Sequence, residues 1–269
     1  MLKYFYITNE PEVAAVADLI GIDRVFVDLE HIGKAERQPM DTVKNYHTVD
    51  DVKAVRKAVN NAEFLVRINP LYEESKAEID AVINAGADRI MLPMWRTVDE
   101  IERFLALVDG RVKVVPLLET DEAANCCEAI AAMNGIDEIH IGLNDLKISQ
   151  NKRFLFELFV DGTVDSLAEI IKKKGKRFGV GGVGSVGKKI ELPAENIFAE
   201  HYRIGSEMVI LSRAFCKPDD FKSFDEFKAA MTERYTANRK YEEFLASQPR
   251  EFFTEKHNET TRIINRIVK

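Results

Sequence analysis

Lys113-Val114-Val115-Pro116-Leu117-Leu118-Glu119 is apolar at every position between its lysine and its glutamate. A strand with one wet face alternates apolar and polar residues, so an unbroken apolar run of this length predicts a strand covered on both faces, as in a parallel sheet flanked by helices. Arg24-Val25-Phe26-Val27-Asp28-Leu29-Glu30 repeats the pattern and also ends on carboxylates. Working outward, runs of this kind occupy residues 2–8, 24–30, 63–69, 89–94, 113–119, 138–144, 177–181 and 208–212. Between them, residues 10–20, 49–60, 72–85, 98–107, 121–133 and 164–174 carry apolar side chains at helical spacing. Strands alternating with helices signal a parallel α/β fold, and eight such units predict a closed (β/α)8 barrel over residues 1–217. An open doubly wound sheet is the alternative. Against it, the first strand is followed by Thr8-Asn9-Glu10, a helix start with a capping residue, in place of a Gly-rich turn.

From residue 218 the pattern changes to two long, charged, aromatic-bearing helical stretches, 219–247 and 250–268. This C-terminal helical extension, residues 218–269, has Phe, Tyr and Leu side chains to bury, on the barrel or on a neighbouring subunit. A homo-oligomer is expected on that ground.

Composition narrows the function. The 269 residues are 46% hydrophobic and 31% charged with a net charge of −7, the balance of a globular protein. The basic run Lys172, Lys173, Lys174, Lys176 and Arg177 reads as a helix end, and no other basic block offers a nucleic-acid surface. No apolar run approaches the ~18 residues of a membrane span. Cys126, Cys127 and Cys216 form neither a CxxC pair nor a disulfide framework, and no charged-then-apolar leader precedes the first strand. A cytoplasmic location is expected, with no chemistry assigned to the cysteines.

In a barrel the reacting groups stand at the C-terminal ends of the strands. Here the second strand ends Asp28-Leu29-Glu30-His31, the third Arg67-Ile68-Asn69, the fifth Glu119-Thr120 and the sixth Gly142-Leu143-Asn144-Asp145. Glu119 and Asp145, from adjacent strands, either repel each other or share a cation, and a hard divalent ion, Mg²⁺ or Mn²⁺, suits such a pair. The competing reading pairs one of them with Arg67. Arg67 offers a planar donor fork for a substrate carboxylate or an enolate oxygen, and a structural salt bridge to a strand-end acid is its alternative use. His31 is the expected proton-transfer group, oriented by Asp28 or Glu30. His47 is read as preceding a helix cap at Thr48, His140 and His201 as structural, and His257 as a surface residue. Gly181 and Gly182 open a glycine-rich segment expected to follow the seventh strand, where backbone amides approach a substrate anion or line an empty loop.

The ordered set Asp28-x-Glu30-His31, Val66-Arg67, Gly86-Ala87 with Leu92-Pro93-Met94, Leu118-Glu119-Thr120 and Ile141-Gly142-Leu143-Asn144-Asp145-Leu146 resembles the HpcH/HpaI aldolase and citrate lyase family. The resemblance implies a divalent-metal-dependent barrel that forms or cleaves a carbon–carbon bond beside a 2-oxo acid such as pyruvate, with an aldehyde or acyl partner. It implies Glu119 and Asp145 as metal ligands, Arg67 at the enolate oxygen, and Asp28 with His31 as the proton-handling dyad. Leu117 departs from the aldolase branch, which often carries a glutamine there, and Trp95-Arg96-Thr97 runs straight into a helix where many aldolases carry an insertion. The expected activity is therefore an aldolase-type lyase. A citrate- or malyl-CoA-type lyase or synthase, or a noncatalytic 2-oxo acid binding protein, stands as the alternative.

Overall fold

The computed structural model describes residues 1–33, 47–212 and 214–269. Among them, parallel strands close into a barrel in chain order: β1 (Lys3–Ile7), β2 (Arg24–Asp28), β3 (Glu63–Arg67), β4 (Arg89–Leu92), β5 (Lys113–Leu118), β6 (Glu138–Ile141), β7 (Arg177–Val183) and β8 (Met208–Leu211). β8 pairs back onto β1, so the expected (β/α)8 closure is present and the open sheet is excluded. The covering helices are α1 (Pro11–Ile20), α2 (Val49–Arg56), α3 (Ser75–Asn84), α4 (Val98–Val108), α5 (Asp121–Asn125), α6 (Cys127–Ala132), α7 (Leu143–Ser149), α8 (Thr163–Lys173) and α9 (Ala194–Ile204). Thr48 and Thr97 start α2 and α4 with reciprocal capping boxes, in which each threonine hydroxyl accepts an amide N–H three residues on.

Every strand but β7 is shorter than its apolar run. At β2, the Glu30 amide turns to donate to Asp28 Oδ1 at 3.1 Å. At β6 the chain enters α7 directly, so Asp145 lies in the first turn of a helix and not on a strand end. The helix expected over 121–133 breaks at Cys126 into α5 and α6.

The unbroken apolar runs hide a two-residue period. Phe5, Phe26, Leu65, Met91, Val115, Leu117 and Met208 form an inner cluster, while their sequence neighbours Val25, Val27, Phe64 and Val66 pack outward into the larger core beneath the helices. Extending the inward parity down the barrel gives Arg24, Glu63, Arg89 and Glu138. Arg24 donates to Glu63 at 2.6 Å and grips both oxygens of Glu138, and Arg89 donates to Glu63 at 3.0 and 3.1 Å. Extending it upward gives Asp28, Arg67 and Glu119, the strand-end residues singled out from the sequence.

Two further helices, α10 (Phe224–Ala246) and α11 (Arg250–Ile267), pack on the barrel of the same chain. The fully buried Glu242 of α10 accepts from Leu2 N at 2.6 Å and Tyr4 Oη at 2.5 Å, and Arg239 bridges it to Asp23 while lying 3.8 Å over the Tyr4 ring. From α11, His257 reaches the buried Glu200 of α9 at 3.0 Å, so this histidine is half-buried and paired where a surface residue was expected. His140 and His201 are buried. No described helix is long and apolar enough to cross a membrane.

The ion network under the core yields a stability prediction. Removing one partner of a buried pair strands the other's charge, so Glu138→Ala is expected to cost about 3–5 kcal/mol in urea denaturation. Burial pushes the Glu63 carboxyl up, yet its hydrogen bonds from Arg89 and Arg24 prevail and bring it down to about 2 from the usual 4.5. A carboxyl depressed on folding stabilises the protein above its unfolded value. This contribution is expected to be present above pH 4.5 and to be lost as pH falls toward 2, with Glu63→Gln flattening that part of the acid-denaturation curve.

Candidate active site

Asp28 and Arg67 are register partners on adjacent strands, so their side chains leave the ladder side by side. The guanidinium closes on the carboxylate with two parallel bonds, Nε to Oδ1 at 2.8 Å and Nη2 to Oδ2 at 2.7 Å, and Nη2 also lies 3.3 Å from Glu30 Oε2. Such a fork holds the arginine in one plane. Asp28 was expected beside His31; its carboxylate instead orients Arg67, which is the salt-bridge alternative raised for that arginine.

His31 is exposed at the mouth. Its Nδ1 stands 3.0 Å from the Leu29 carbonyl oxygen, which only accepts, so Nδ1 carries the hydrogen and Nε2 of the neutral ring keeps its lone pair. The backbone amides of His31 and Ile32 both donate to Asn69 Oδ1, at 3.0 and 3.1 Å. His47 precedes the Thr48 cap as expected, but its Nδ1 also accepts from the Asp28 amide at 3.1 Å, which ties it to the end of β2.

Glu119 follows β5 and is 3% exposed. Its Oε1 accepts from the Met94 amide at 3.0 Å, and Met94 holds a left-handed backbone with φ 56° to present that amide. Its Oε2 lies against Gly142, where an added Cβ would stand 2.9 Å from both Oε2 and Glu119 Cβ. Thr120 braces this corner, accepting from Ala123 N and donating to the Trp95 carbonyl, both at 3.1 Å. Burial, then the charges of Glu30 and Asp145, push the Glu119 carboxyl well above the usual carboxylate range against the opposing pull of Arg67. Asp145, half-buried in α7, is therefore within electrostatic reach of Glu119.

A buried carboxyl raised by burial and by neighbouring acids suits a hard cation by charge and donor type. Among the described residues no three His, Cys, Asp or Glu side chains converge tightly enough to hold an ion alone. Glu119 and Asp145 would thus supply two oxygens, with water or substrate completing the shell, the arrangement Mg²⁺ ordinarily takes. Leu117, where a polar side chain would have pointed at this region, belongs to the inner apolar cluster and touches the Gly142 side of the corner.

Gly181 and Gly182 do not lie in a loop. β7 runs through them to Val183, with an irregular register against β8 between Gly179 and Gly182. Gly181 has φ 44°, and a Cβ there would meet Leu143 at 2.5 Å, so packing against α7 accounts for that glycine. Its carbonyl lies 3.2 Å from His140 Nε2. Asn69, Met94 and Glu78 also shape this mouth, in roles not expected from the sequence. Asn69 stood in the quoted strand end, two places from Arg67, and that spacing was the usable signal; the left-handed turn at Met94 and the helical Glu78 gave none.

A sequence model described as HpcH/HpaI aldolase/citrate lyase matches residues 2–153, more than half of the chain. Comparison with curated proteins gives no sequence match. Among solved structures, an HpcH/HpaI aldolase from Desulfitobacterium hafniense DCB-2 superposes with TM-score 0.59 at 14% identity, covering 78% of this chain and 86% of that one. An HpcH/HpaI aldolase/citrate lyase family protein from Burkholderia cenocepacia J2315 gives 0.60 at 17%, covering 78% and 88%. The citrate synthase SbnG gives 0.58 at 16%, covering 89% and 94%. At these identities the likeness is one of fold.

The close approach at Gly142 is testable on stability. Gly142→Ala drives a methyl into the Cβ of Glu119, which backbone fixes, so a loss of about 1–3 kcal/mol in urea denaturation is expected.

Proposed function

Because this chain belongs to the HpcH/HpaI aldolase/citrate lyase family, we propose that it is a divalent-metal-dependent carbon–carbon lyase acting beside the carbonyl of a 2-oxo acid such as pyruvate. The observation that carries this reading is the buried Glu119, raised by Glu30 and Asp145 and aimed by the Met94 amide. The chemistry a Mg²⁺ or Mn²⁺ ion supplies at such carboxylates is Lewis-acid polarisation of a carbonyl oxygen.

The chain's own residues divide the remaining work. Glu119 and Asp145 would hold the ion. In the cleavage direction, His31 Nε2 takes the proton of the aldol hydroxyl, the carbon–carbon bond breaks to release the aldehyde, and its electron pair forms the enolate of the 2-oxo acid. Return of that proton from His31 to the enolate carbon, directly or through water, then gives the 2-oxo acid and restores the neutral imidazole. Arg67, held planar by Asp28, faces the developing oxyanion with the N–H groups that Asp28 does not occupy. Asp28 is thereby a positioning residue for Arg67. The apolar Leu117 at the Glu119 corner favours a second reading, a 2-oxo acid binding protein without turnover.

Proton exchange at the pyruvate methyl group in D₂O, followed by NMR on metal-stripped protein and after addition of Mg²⁺ or Mn²⁺, separates the two readings. Metal-dependent exchange is expected. His31→Ala is expected to slow it by about 10²–10⁴-fold, the usual worth of a general base. Glu119→Gln is expected to abolish it together with Mn²⁺ binding seen by EPR, with the circular dichroism unchanged. Silent wild-type protein that nonetheless binds pyruvate supports the binding role, and exchange in fully stripped protein overturns the metal-dependent mechanism.

A further inference from the structure

His31 sits on the turn that leaves β2, and that turn is held from another element. Two consecutive amides, those of His31 and Ile32, converge on one side of the Asn69 side chain at 3.0 and 3.1 Å. Only an oxygen accepts two N–H groups, so this side is Oδ1 and the other is the NH₂ group. That NH₂ group donates to Glu78 Oε1 at 2.7 Å, and the Asn69 backbone amide faces both Glu78 oxygens at 3.3 and 3.4 Å. Asn69 is 2% exposed, whereas Glu78, on α3, is half-buried.

Both ends of the buried amide are engaged. Its acceptor end fixes the peptide planes on either side of the His31 Cα, and its donor end is anchored by a carboxylate on a helix that packs outside the barrel. His31 itself is exposed, and its Nδ1 contacts the Leu29 carbonyl inside the same turn. Asn69 thus ties the amides of this turn to another element. His31 also lies within electrostatic reach of Glu78, so the anchor stands beside the imidazole it supports.

We infer that Asn69 and Glu78 are positioning residues for His31: Asn69 clamps the His31–Ile32 turn, and Glu78 locks the Asn69 amide in the one orientation that makes the clamp. The role rests on the reading of His31 as the proton-handling group. The clamp acts through hydrogen-bond geometry, so a glutamine at position 78, which keeps an acceptor oxygen for Asn69, preserves it, and an alanine does not.

Two measurements test this on the metal-loaded full chain. Amide hydrogen exchange by NMR reads the clamp directly: Asn69→Ala and Glu78→Ala are expected to lose protection at His31 and Ile32 while Leu29, bonded to the Arg67 carbonyl, stays protected. Pyruvate methyl exchange reads its use. Misplacing a catalytic group by about 1 Å costs on the order of 100-fold, so a loss approaching that size is expected in kcat for Asn69→Ala, with KM little changed. In a His31→Ala background Asn69→Ala is expected to add nothing, and Glu78→Gln is expected to restore most of the rate and protection lost in Glu78→Ala. Glu78→Ala, at a half-exposed helix position, carries the test even where Asn69→Ala folds poorly. Equal losses with and without His31, or full protection of the two amides in Glu78→Ala, overturn the inference. Wild-type protein silent toward pyruvate overturns the enolate reading and this role together, and is seen before any variant is made.

Discussion

Closing parallel strands on themselves leaves each strand with two dry faces, so a charge on the inward face is tolerable only at the two ends of the barrel. The inward positions of this chain follow that constraint. In β2 they are Arg24, Phe26 and Asp28; in β3, Glu63, Leu65 and Arg67. Each strand is charged, apolar, charged along the same side. The register that aligns Phe26 with Leu65 also aligns Asp28 with Arg67 and Arg24 with Glu63, so the middle layer, the ion network below it and the mouth above it are consequences of one pairing.

The two charged ends are neutralised differently. Below the core, Arg24 and Arg89 meet Glu63 and Glu138, and Arg177 reaches Glu138 from the rim at 3.4 Å. The depressed Glu63 carboxyl shows that cations prevail there. At the mouth, Arg67 is shared by Asp28 and Glu30, and Glu119 is raised by its neighbours. The same side-chain types therefore produce a structural clasp at one end and an acidic site at the other. Among the described residues, what differs is the ratio of guanidinium to carboxylate.

The sequence carried the fold because apolar runs, helical spacing and threonine caps are local properties. It also carried the mouth, since strand-end charges declare themselves by position. Partner choice was not local. Whether Asp28 serves Arg67 or His31 depends on the inter-strand register, and Asp28 sits directly across the ladder from Arg67. Gly181 and Gly182 misled for a related reason: their spacing suggests a loop, but the need for glycine comes from Leu143 and Ile210 on other elements. Nothing in the stretch around Glu78 distinguishes it from a solvated helical glutamate, and only the fold brings it under Asn69.

The mouth is also where this chain departs from what stability alone would choose. Met94 holds a left-handed backbone, Glu119 is buried among like charges, and the arginine that eases this repulsion is divided between two other carboxylates. Each feature opposes folding: the left-handed φ strains a non-glycine residue, and the buried like charges cost what neutral side chains would avoid. None is needed to close the barrel, since the apolar layer and the lower ion network do that. Such local conflicts persist where the surrounding structure over-determines them, and here Thr120, Asn69 and the Asp28–Arg67 fork fix backbone and side chains at the ends of β5, β3 and β2. A fold that rigidly holds unfavourable charges in place is already arranged for the moment when a cation or an oxyanion arrives, and little reorganisation is left for the binding step.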